Sequence, residues 1–231
     1  MLQALLLDLD GTLVDTPQAI VDITQATLAA LGRPPAEVQA IKDGIGLPLP
    51  SALAGLVGGD PAAAASADTA AAISADVAAA IEIYRTLWRA QVTPRLAQLV
   101  YPGVREGLQE LRDAGLRLAV VTGKAQEGAD STVDGAGLRP FMEVVLGYTS
   151  VPHPKPAPDL ALEAMKRLRL PAAACAVVGD ARHDLEMARA AGVRSIAVTW
   201  GAQPEAALRE ATWVAHSFAE VVRIARSAAR L

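Results

Sequence analysis

The chain has 231 residues, of which 52% are hydrophobic and 20% charged, and its formal net charge at pH 7 is −4. This composition is typical of a folded globular protein and excludes an intrinsically disordered one. A weakly negative chain gives no reason to expect a nucleic-acid partner, and no apolar run is long enough to predict a membrane span. The single cysteine, Cys175, excludes an intrachain disulfide. Together with an N-terminus unlike a signal peptide, it favours the cytoplasm.

An apolar run followed by two acids opens the chain. Leu5, Leu6 and Leu7 precede Asp8 and Asp10, and a glycine follows at once. The apolar run predicts a buried strand, and the glycine predicts that the chain turns out after it. Two carboxylates this close are costly unless a cation or a shared proton relieves them. The pattern therefore predicts a charged site, although an acidic turn-forming loop is the simpler alternative.

Residues 16–97 show helical periodicity rather than strand periodicity. The spacing of apolar residues, glycines and prolines predicts a helix before Gly32, a short helix over residues 35–42, a loop over residues 43–50, a helix ending at Gly58 and a long amphipathic helix over residues 61–91. This block is all-helical, so it interrupts whatever sheet the first strand belongs to.

From Pro102 onward, helices and strands alternate. The pattern predicts helices over residues 104–114, 125–135, 158–169, 183–191 and 218–229, and strands over residues 116–121, 144–146, 175–178, 195–198 and 212–214. Continuous apolar strands joined by helices predict an α/β fold with a Rossmann-like parallel sheet and helices on both of its faces. We therefore predict a core domain of residues 1–15 and 98–231, with residues 16–97 inserted as an all-helical cap domain.

Three further strand ends carry polar residues. Thr122 and Gly123 precede a helix, an arrangement that suits a phosphate oxygen but is also an ordinary helix cap. Lys155 lies between prolines in a stiff loop. Asp180 follows a buried strand, and Asp184, four residues on, is either part of the same site or simply a helix N-terminal acid. Ligands of such sheets bind at the carboxyl ends of the strands, where these residues fall.

Taken together and in this order, these motifs resemble the four motifs of the haloacid dehalogenase superfamily. They are the Asp8 to Thr12 stretch, Thr122 with Gly123, Lys155 with its following proline, and Asp180 with Asp184. Residues 44–49, 101–104 and 155–158 are similar to the phosphoglycolate phosphatase-like branch, which has a helical cap inserted after the first strand.

The resemblance implies a reaction mechanism for the two opening acids. Asp8 would attack phosphorus and form an aspartyl phosphate. Asp10 would protonate the leaving alcohol oxygen and then deprotonate the hydrolytic water.

The resemblance also implies two groups of binding residues. Mg²⁺ would be held by Asp8, the backbone carbonyl of Asp10, Asp180 and, directly or at one remove, Asp184. The phosphoryl oxygens would be held by Thr122, Gly123 and Lys155, with Thr122 and Lys155 counted among the catalytic residues. Relatives often carry Asn at the position of Gly123 and Ser or Thr at that of Ala181, so a side-chain contact is missing at each.

We therefore expect a Mg²⁺-dependent phosphatase acting on a small phosphate ester, with phosphoglycolate as the leading candidate and a monomer or homodimer as the assembly. The alternatives are a sugar phosphomutase, a pyrophosphatase or a catalytically idle binding or regulatory member. Asp10 argues against dehalogenases, which lack this acid. The histidines, His153, His183 and His216, all lie outside the cap, which argues against a mutase.

Substrate contacts in the cap are less specific in the sequence. Lys42, Gly46 and Arg85 are the candidates, and Lys42 suits a substrate carboxylate. Solvated surface positions explain Lys42 and Arg85 equally well. His183 is interpreted as a surface group in the first turn of its helix.

Overall fold

The structure is a computed structural model that describes residues 1–60 and 74–230. Six parallel strands form one sheet in the order β3-β2-β1-β4-β5-β6. The strands are β1 (Ala4–Leu7), β2 (Arg117–Thr122), β3 (Val144–Gly147), β4 (Cys175–Gly179), β5 (Arg194–Val198) and β6 (Trp213–Ala215). The predicted parallel sheet is confirmed, and the first strand of the chain lies inside it between β2 and β4.

Helices occupy most of the remaining described chain. They are α1 (Pro17–Ala30), α2 (Val38–Asp43), α3 (Leu49–Val57), α4 (Ala75–Gln91), α5 (Val104–Asp113), α6 (Gln126–Gly135), α7 (Asp159–Leu168), α8 (Arg182–Ala190) and α9 (Phe218–Arg230). From α5 onward, no helix or strand differs from its predicted bounds by more than one residue. None of the described helices is both long enough and apolar enough to cross a bilayer.

Both faces of the sheet are covered because its strands are apolar on both sides. In β1, Leu5 and Leu7 belong to one hydrophobic cluster, which includes side chains of α5, α6 and α9. Leu6 belongs to a second cluster on the opposite face, with side chains of α7 and α8. This is the alternation of faces expected for a strand. The sheet therefore fixes the position of its strand ends rigidly.

The described residues form five α-helices between β1 and β2, and we call the first four of them, α1 to α4, the inserted helices. The predicted long helix is present over Ala75–Gln91, and its remainder, residues 61–73, lies outside the described residues. The two segments that join the inserted helices to the sheet pair with each other, since Val14 bridges Val100 and the Tyr101 amide donates to the Leu13 carbonyl at 3.1 Å.

Candidate active site

The polar strand ends meet at one edge of the sheet. Asp8 follows β1, Thr122 ends β2 and Asp180 follows β4, and these three strands are neighbours in the sheet. Lys155 comes from the segment between β3 and α7, and Asp184 from the first turn of α8. The edge that the sequence predicted for a ligand site therefore holds the predicted residues.

Three buried carboxylates form the centre of the site. One oxygen each of Asp8, Asp180 and Asp184 lies within 4.8 Å of the others. The ammonium of Lys155 donates to Asp8 Oδ1 and to Asp184 Oδ1, each at 2.6 Å. All four side chains are almost fully excluded from solvent. Such a group is stable only if opposite charges offset one another at close range.

The pKa values of these groups reflect both burial and charge. Burial raises the pKa of Asp8 well above its usual value, with Asp184 and Asp180 adding to the effect and Lys155 opposing it. Burial and the charge of Asp184 raise the pKa of Asp180 to about 7. Burial lowers the pKa of Lys155, but Asp184 and Asp8 outweigh it, so the net shift is upward. One ammonium is thus too little positive charge for three buried acids.

Neighbouring groups hold the carboxylates in place. The Thr12 hydroxyl donates to Asp180 Oδ1 at 2.8 Å, and the Ala202 amide donates to Asp180 Oδ2 at 2.7 Å. Gly11 has φ +84°, and a Cβ there would collide with the Asp180 carboxylate. Glycine is therefore required at this position both for its backbone conformation and for the close approach of Asp180.

The donor set fits a hard divalent cation. Carboxylate oxygens are the ligands that Mg²⁺ prefers, and a second positive charge would relieve the excess of acid at this cluster. Asp8, Asp180 and Asp184 are the residues that would hold it. The carboxylate of Asp10 is not in this cluster, so the part of Asp10 consistent with the expected ligand set is its backbone carbonyl.

Asp10 has different neighbours from Asp8. Its Oδ1 accepts a hydrogen bond from the Thr16 hydroxyl at 2.6 Å, and its Oδ2 forms an ion pair with the ammonium of Lys124 at 3.0 Å. That ammonium also lies 4.1 Å from the ring centroid of Trp88 on α4. Asp10 is thus directed toward the inserted helices rather than over Asp8.

A cavity of about 260 Å³ opens beside Asp10, between the sheet edge and the inserted helices. Gly123 and Lys124 line it from the sheet side. From the inserted helices it is lined by apolar, aromatic and basic residues, including Ile20, Ile41, Gly46, Leu47, Tyr84, Arg85, Trp88 and Arg89. The predicted candidates Gly46 and Arg85 are thus in its wall. Among the described residues, Lys42 is not one of those that line it.

Two contacts join the inserted helices to the core near this cavity, one at the end of β2 and one at α8. A Cβ on Gly123 would collide with the carbonyl oxygen of Gly46, so the two backbones touch. His183 Nε2 lies 3.2 Å from the carbonyl oxygen of Asp43 and donates to it. His183 lies in the first turn of α8 as interpreted, but its side chain is only 20% exposed and its ring contacts the inserted helices, a long-range contact that helical periodicity does not report.

Thr12 and Lys124 are two polar side chains of the site to which the sequence assigned no role. Both lie inside motifs that were recognised, Thr12 after Gly11 and Lys124 after Gly123. Position within a motif is the signal that could have found them. The Ala202 amide gives no such signal, because any residue except proline carries that donor.

Several known proteins resemble the chain. A family model described as haloacid dehalogenase-like hydrolase matches residues 5–198. "Probable phosphatase IndB" of Dickeya dadantii (strain 3937) is 40% identical over 226 residues, covering 97% of this chain and 94% of that protein. A phosphoglycolate phosphatase of Rhodobacter capsulatus is 32% identical over 204 residues, covering 87% and 86%. A solved haloacid dehalogenase-like hydrolase of Streptococcus pneumoniae has a TM-score of 0.77 at 25% identity, covering 96% and 98%.

Proposed function

Because the chain belongs to the haloacid dehalogenase-like hydrolase family, we propose that it is a magnesium-dependent phosphatase that hydrolyses a small phosphate monoester. The observation that carries this proposal is the buried cluster of Asp8, Asp180 and Asp184 around Lys155, next to an open cavity. The names of the curated relatives support phosphatase activity and make phosphoglycolate the first candidate substrate.

The two opening acids take different parts in the reaction. An oxygen of Asp8 attacks phosphorus, an aspartyl phosphate forms, and the bond from phosphorus to the ester oxygen breaks. Asp10 gives its proton to that leaving oxygen. Asp10 then takes a proton from a water molecule, which attacks the aspartyl phosphate, releases inorganic phosphate and restores the Asp8 carboxylate. The separate surroundings of Asp8 and Asp10 support this division of work.

The phosphoryl oxygens are bound at the ends of β1 and β2. Thr122 and the Gly123 amide lie at the end of β2, and the ammonium of Lys155 lies 2.6 Å from Asp8. Mg²⁺ would be held by Asp8, Asp180, Asp184 and the Asp10 carbonyl. Its positive charge would stabilise the negatively charged phosphoryl oxygens. Each preorganised contact of this kind contributes about 3 kcal/mol to stabilising a transition state.

The inserted helices serve as a cap in this proposal. Residues 16–97 form the cap domain and residues 1–15 and 98–231 the core domain, with the leaving group bound between them. The contact of Gly46 with Gly123 and that of Asp43 with His183 support this arrangement, because both join the inserted helices to the core. A cap that closes over a bound substrate excludes bulk water from the reacting groups.

Initial rates with a panel of phosphate esters test the proposal. We expect phosphate release with Mg²⁺, none with EDTA, and at least a thousandfold loss of kcat in Asp8→Asn, because an amide is a far weaker nucleophile than a carboxylate. Asp113→Asn, at the exposed end of α5, is the matched control and should retain wild-type rates. Turnover by Asp8→Asn at the wild-type rate would overturn the nucleophile assignment.

A further inference from the structure

Lys124 lies at the boundary between the reacting groups and the cavity. Its ammonium is 3.0 Å from Asp10 Oδ2 and 4.1 Å from the Trp88 ring centroid, and its side chain is only 16% exposed. The ammonium has three N–H donors, of which the ion pair with Asp10 uses one. A largely shielded cation held at this point is therefore able to bind a second anionic group.

The distance from the Lys124 ammonium to the leaving oxygen follows from the role proposed for Asp10. To give its proton, the Asp10 carboxyl must come within about 2.6–3.2 Å of that oxygen. When Oδ2 carries that proton, the Lys124 ammonium, 3.0 Å from the same oxygen, lies within about 6 Å of the leaving oxygen. A carboxylate on the carbon that bears the leaving oxygen falls within reach of this ammonium.

The other cations nearby are less suitable for this contact. Lys155 is already bound between Asp8 and Asp184. Arg85 also lines the cavity, but it is 45% exposed and pairs with Glu82. Solvent weakens the interaction of an exposed charge with an anion. Arg89, which also lines the cavity, is exposed, so Lys124 is the best-shielded of the cations in the cavity wall.

The cavity is larger than glycolate, the alcohol released from phosphoglycolate, requires. Glycolate places only a methylene and a carboxylate beyond the ester oxygen, whereas 260 Å³ is the volume of about nine water molecules in the liquid. At 260 Å³ the cavity is only slightly smaller than the pockets that hold drug-sized ligands, which start at roughly 300 Å³. Neither Asp8 nor Lys155 is among the described lining residues, so this volume lies on the side of the leaving group. Ile20, Leu47 and Tyr84 give it a largely apolar wall.

On the basis of the proposed phosphatase activity, we propose that Lys124 selects phosphate monoesters of α-hydroxy acids, and that the cavity accepts acids carrying an apolar substituent larger than that of glycolate. Lys124 binds the carboxylate next to the ester. The apolar wall of the inserted helices contacts the substituent. The substrate class is therefore wider than phosphoglycolate.

Four phosphate esters, one of them tested as two separate enantiomers, distinguish the effect of substrate charge from that of substrate size. Methyl phosphate has neither group, phosphoglycolate adds a carboxylate, benzyl phosphate adds a phenyl ring, and each enantiomer of 2-phosphomandelate carries both. For the wild type, we expect kcat/KM to be at least about tenfold higher for each acid than for its uncharged counterpart, as a charge-assisted hydrogen bond predicts. We also expect one enantiomer of 2-phosphomandelate to be cleaved at least as efficiently as phosphoglycolate.

Variants of Lys124 test its part in this preference. Lys124→Met keeps the length of the side chain and removes the charge, and should reduce the preference for the acids by about tenfold or more. Lys124→Arg keeps the charge and should retain the preference. Lys166→Met makes the same change at a lysine of α7 that is 80% exposed, and should leave the preference unchanged.

The outcomes distinguish this proposal from the activity itself. Cleavage of none of the four esters would overturn the phosphatase proposal. Cleavage without preference for the acids, or the wild-type preference in Lys124→Met, would overturn the role of Lys124 while leaving the phosphatase intact. Rejection of both 2-phosphomandelate enantiomers alongside efficient cleavage of phosphoglycolate would overturn the larger substrate class.

Discussion

Asp8 and Asp10 show how two identical side chains, two positions apart in the sequence, come to have different surroundings. β1 ends at Leu7, so Asp8 keeps the direction of the strand end and enters the buried cluster with Lys155. Asp10 lies in the turn that Gly11 permits, where it meets Thr16 and the ammonium of Lys124. These different neighbours support the different roles that we propose for the two acids.

Thr12 is a residue whose loss should weaken metal binding without removing a ligand. Its hydroxyl donates to Asp180 at 2.8 Å and orients that carboxylate. In Thr12→Val, we expect the Mg²⁺ concentration that gives half-maximal activity to rise about 10- to 100-fold, the usual effect of losing a partner that orients a metal ligand. Titration of activity with Mg²⁺ measures it.

The control for this prediction is Thr27→Val in α1. This change also removes a buried hydroxyl, but that hydroxyl donates to the Ile23 carbonyl within the helix. The Mg²⁺ requirement of Thr27→Val should match that of the wild type. An unchanged requirement in Thr12→Val would show that the Ala202 amide alone is enough to orient Asp180.

The site residues predicted from the four motifs share a property, since each lies at or just beyond the end of an apolar strand or in the segment that opens the following helix. The structure places Asp8, Thr122, Lys155 and Asp180 at one sheet edge because parallel strands end together there. Lys124 was not assigned a role because its importance depends on Trp88, a contact between residues far apart in the chain. Local patterns do not report such contacts.

At the scale of elements, the loop of residues 44–48 lies directly over the end of β2. Gly123 allows the Gly46 carbonyl to approach, and a Cβ at position 123 would collide with it. The sequence suggested a missing contact at Gly123. In the structure, the backbone of this loop occupies the space into which a side chain at position 123 would extend.

Gly123→Ala should therefore displace the loop of residues 44–48. We expect kcat/KM to fall by about tenfold to a hundredfold, because a shift of about 1 Å near a bound substrate has costs of this order. Separate measurement of kcat and KM, with thermal unfolding to confirm a folded protein, checks it. Wild-type kinetics in Gly123→Ala would mean that the loop does not need to touch the end of β2.

Helix bounds were predictable where sequence signals mark them. Pro17 begins α1 at a position that proline favours, and Gly58 ends α3 with φ +87°. The short helix predicted over residues 35–42 begins later, at Val38, because Glu37 before it is extended. A helix of this length has little periodicity from which to read its start.

At the scale of the whole molecule, the parallel sheet and the inserted helices were predictable from the order of the patterns. The position of the inserted helices over the sheet edge was not, because contacts such as that of Asp43 with His183 set it. The paired segments around Val14 and Val100 are the covalent connection between the two parts. We expect the cap to hinge there when it opens for substrate.

A cross-link tests whether turnover requires this opening. A Cβ on Gly46 would lie 3.7 Å from that of Ala181, within the range of disulfides, so Gly46→Cys combined with Ala181→Cys should form a bond between cap and core. Because Gly46 has φ +95°, thermal unfolding and turnover of the reduced protein check that position 46 tolerates the side chain. We expect the oxidised double variant to lose most of its turnover and to regain it on reduction. Assay of the same sample before and after dithiothreitol measures the effect.

The chain offers a clean background for this experiment. Cys175 is its only cysteine, and burial raises the pKa of that thiol to about 11, so it does not compete for the new bond. Each single cysteine variant should be insensitive to oxidation. Full turnover by the cross-linked protein would contradict the hinge.

The central place of β1 has a consequence for synthesis on the ribosome. Ala4 pairs with Arg117 and with Cys175. Both edges of the first strand can therefore be paired only after most of the chain has been synthesised. The inserted helices contact one another locally and are complete earlier. Pairing over such long sequence separations slows folding and leaves an apolar strand unprotected meanwhile. The nascent chain is therefore most prone to aggregate before β4 emerges.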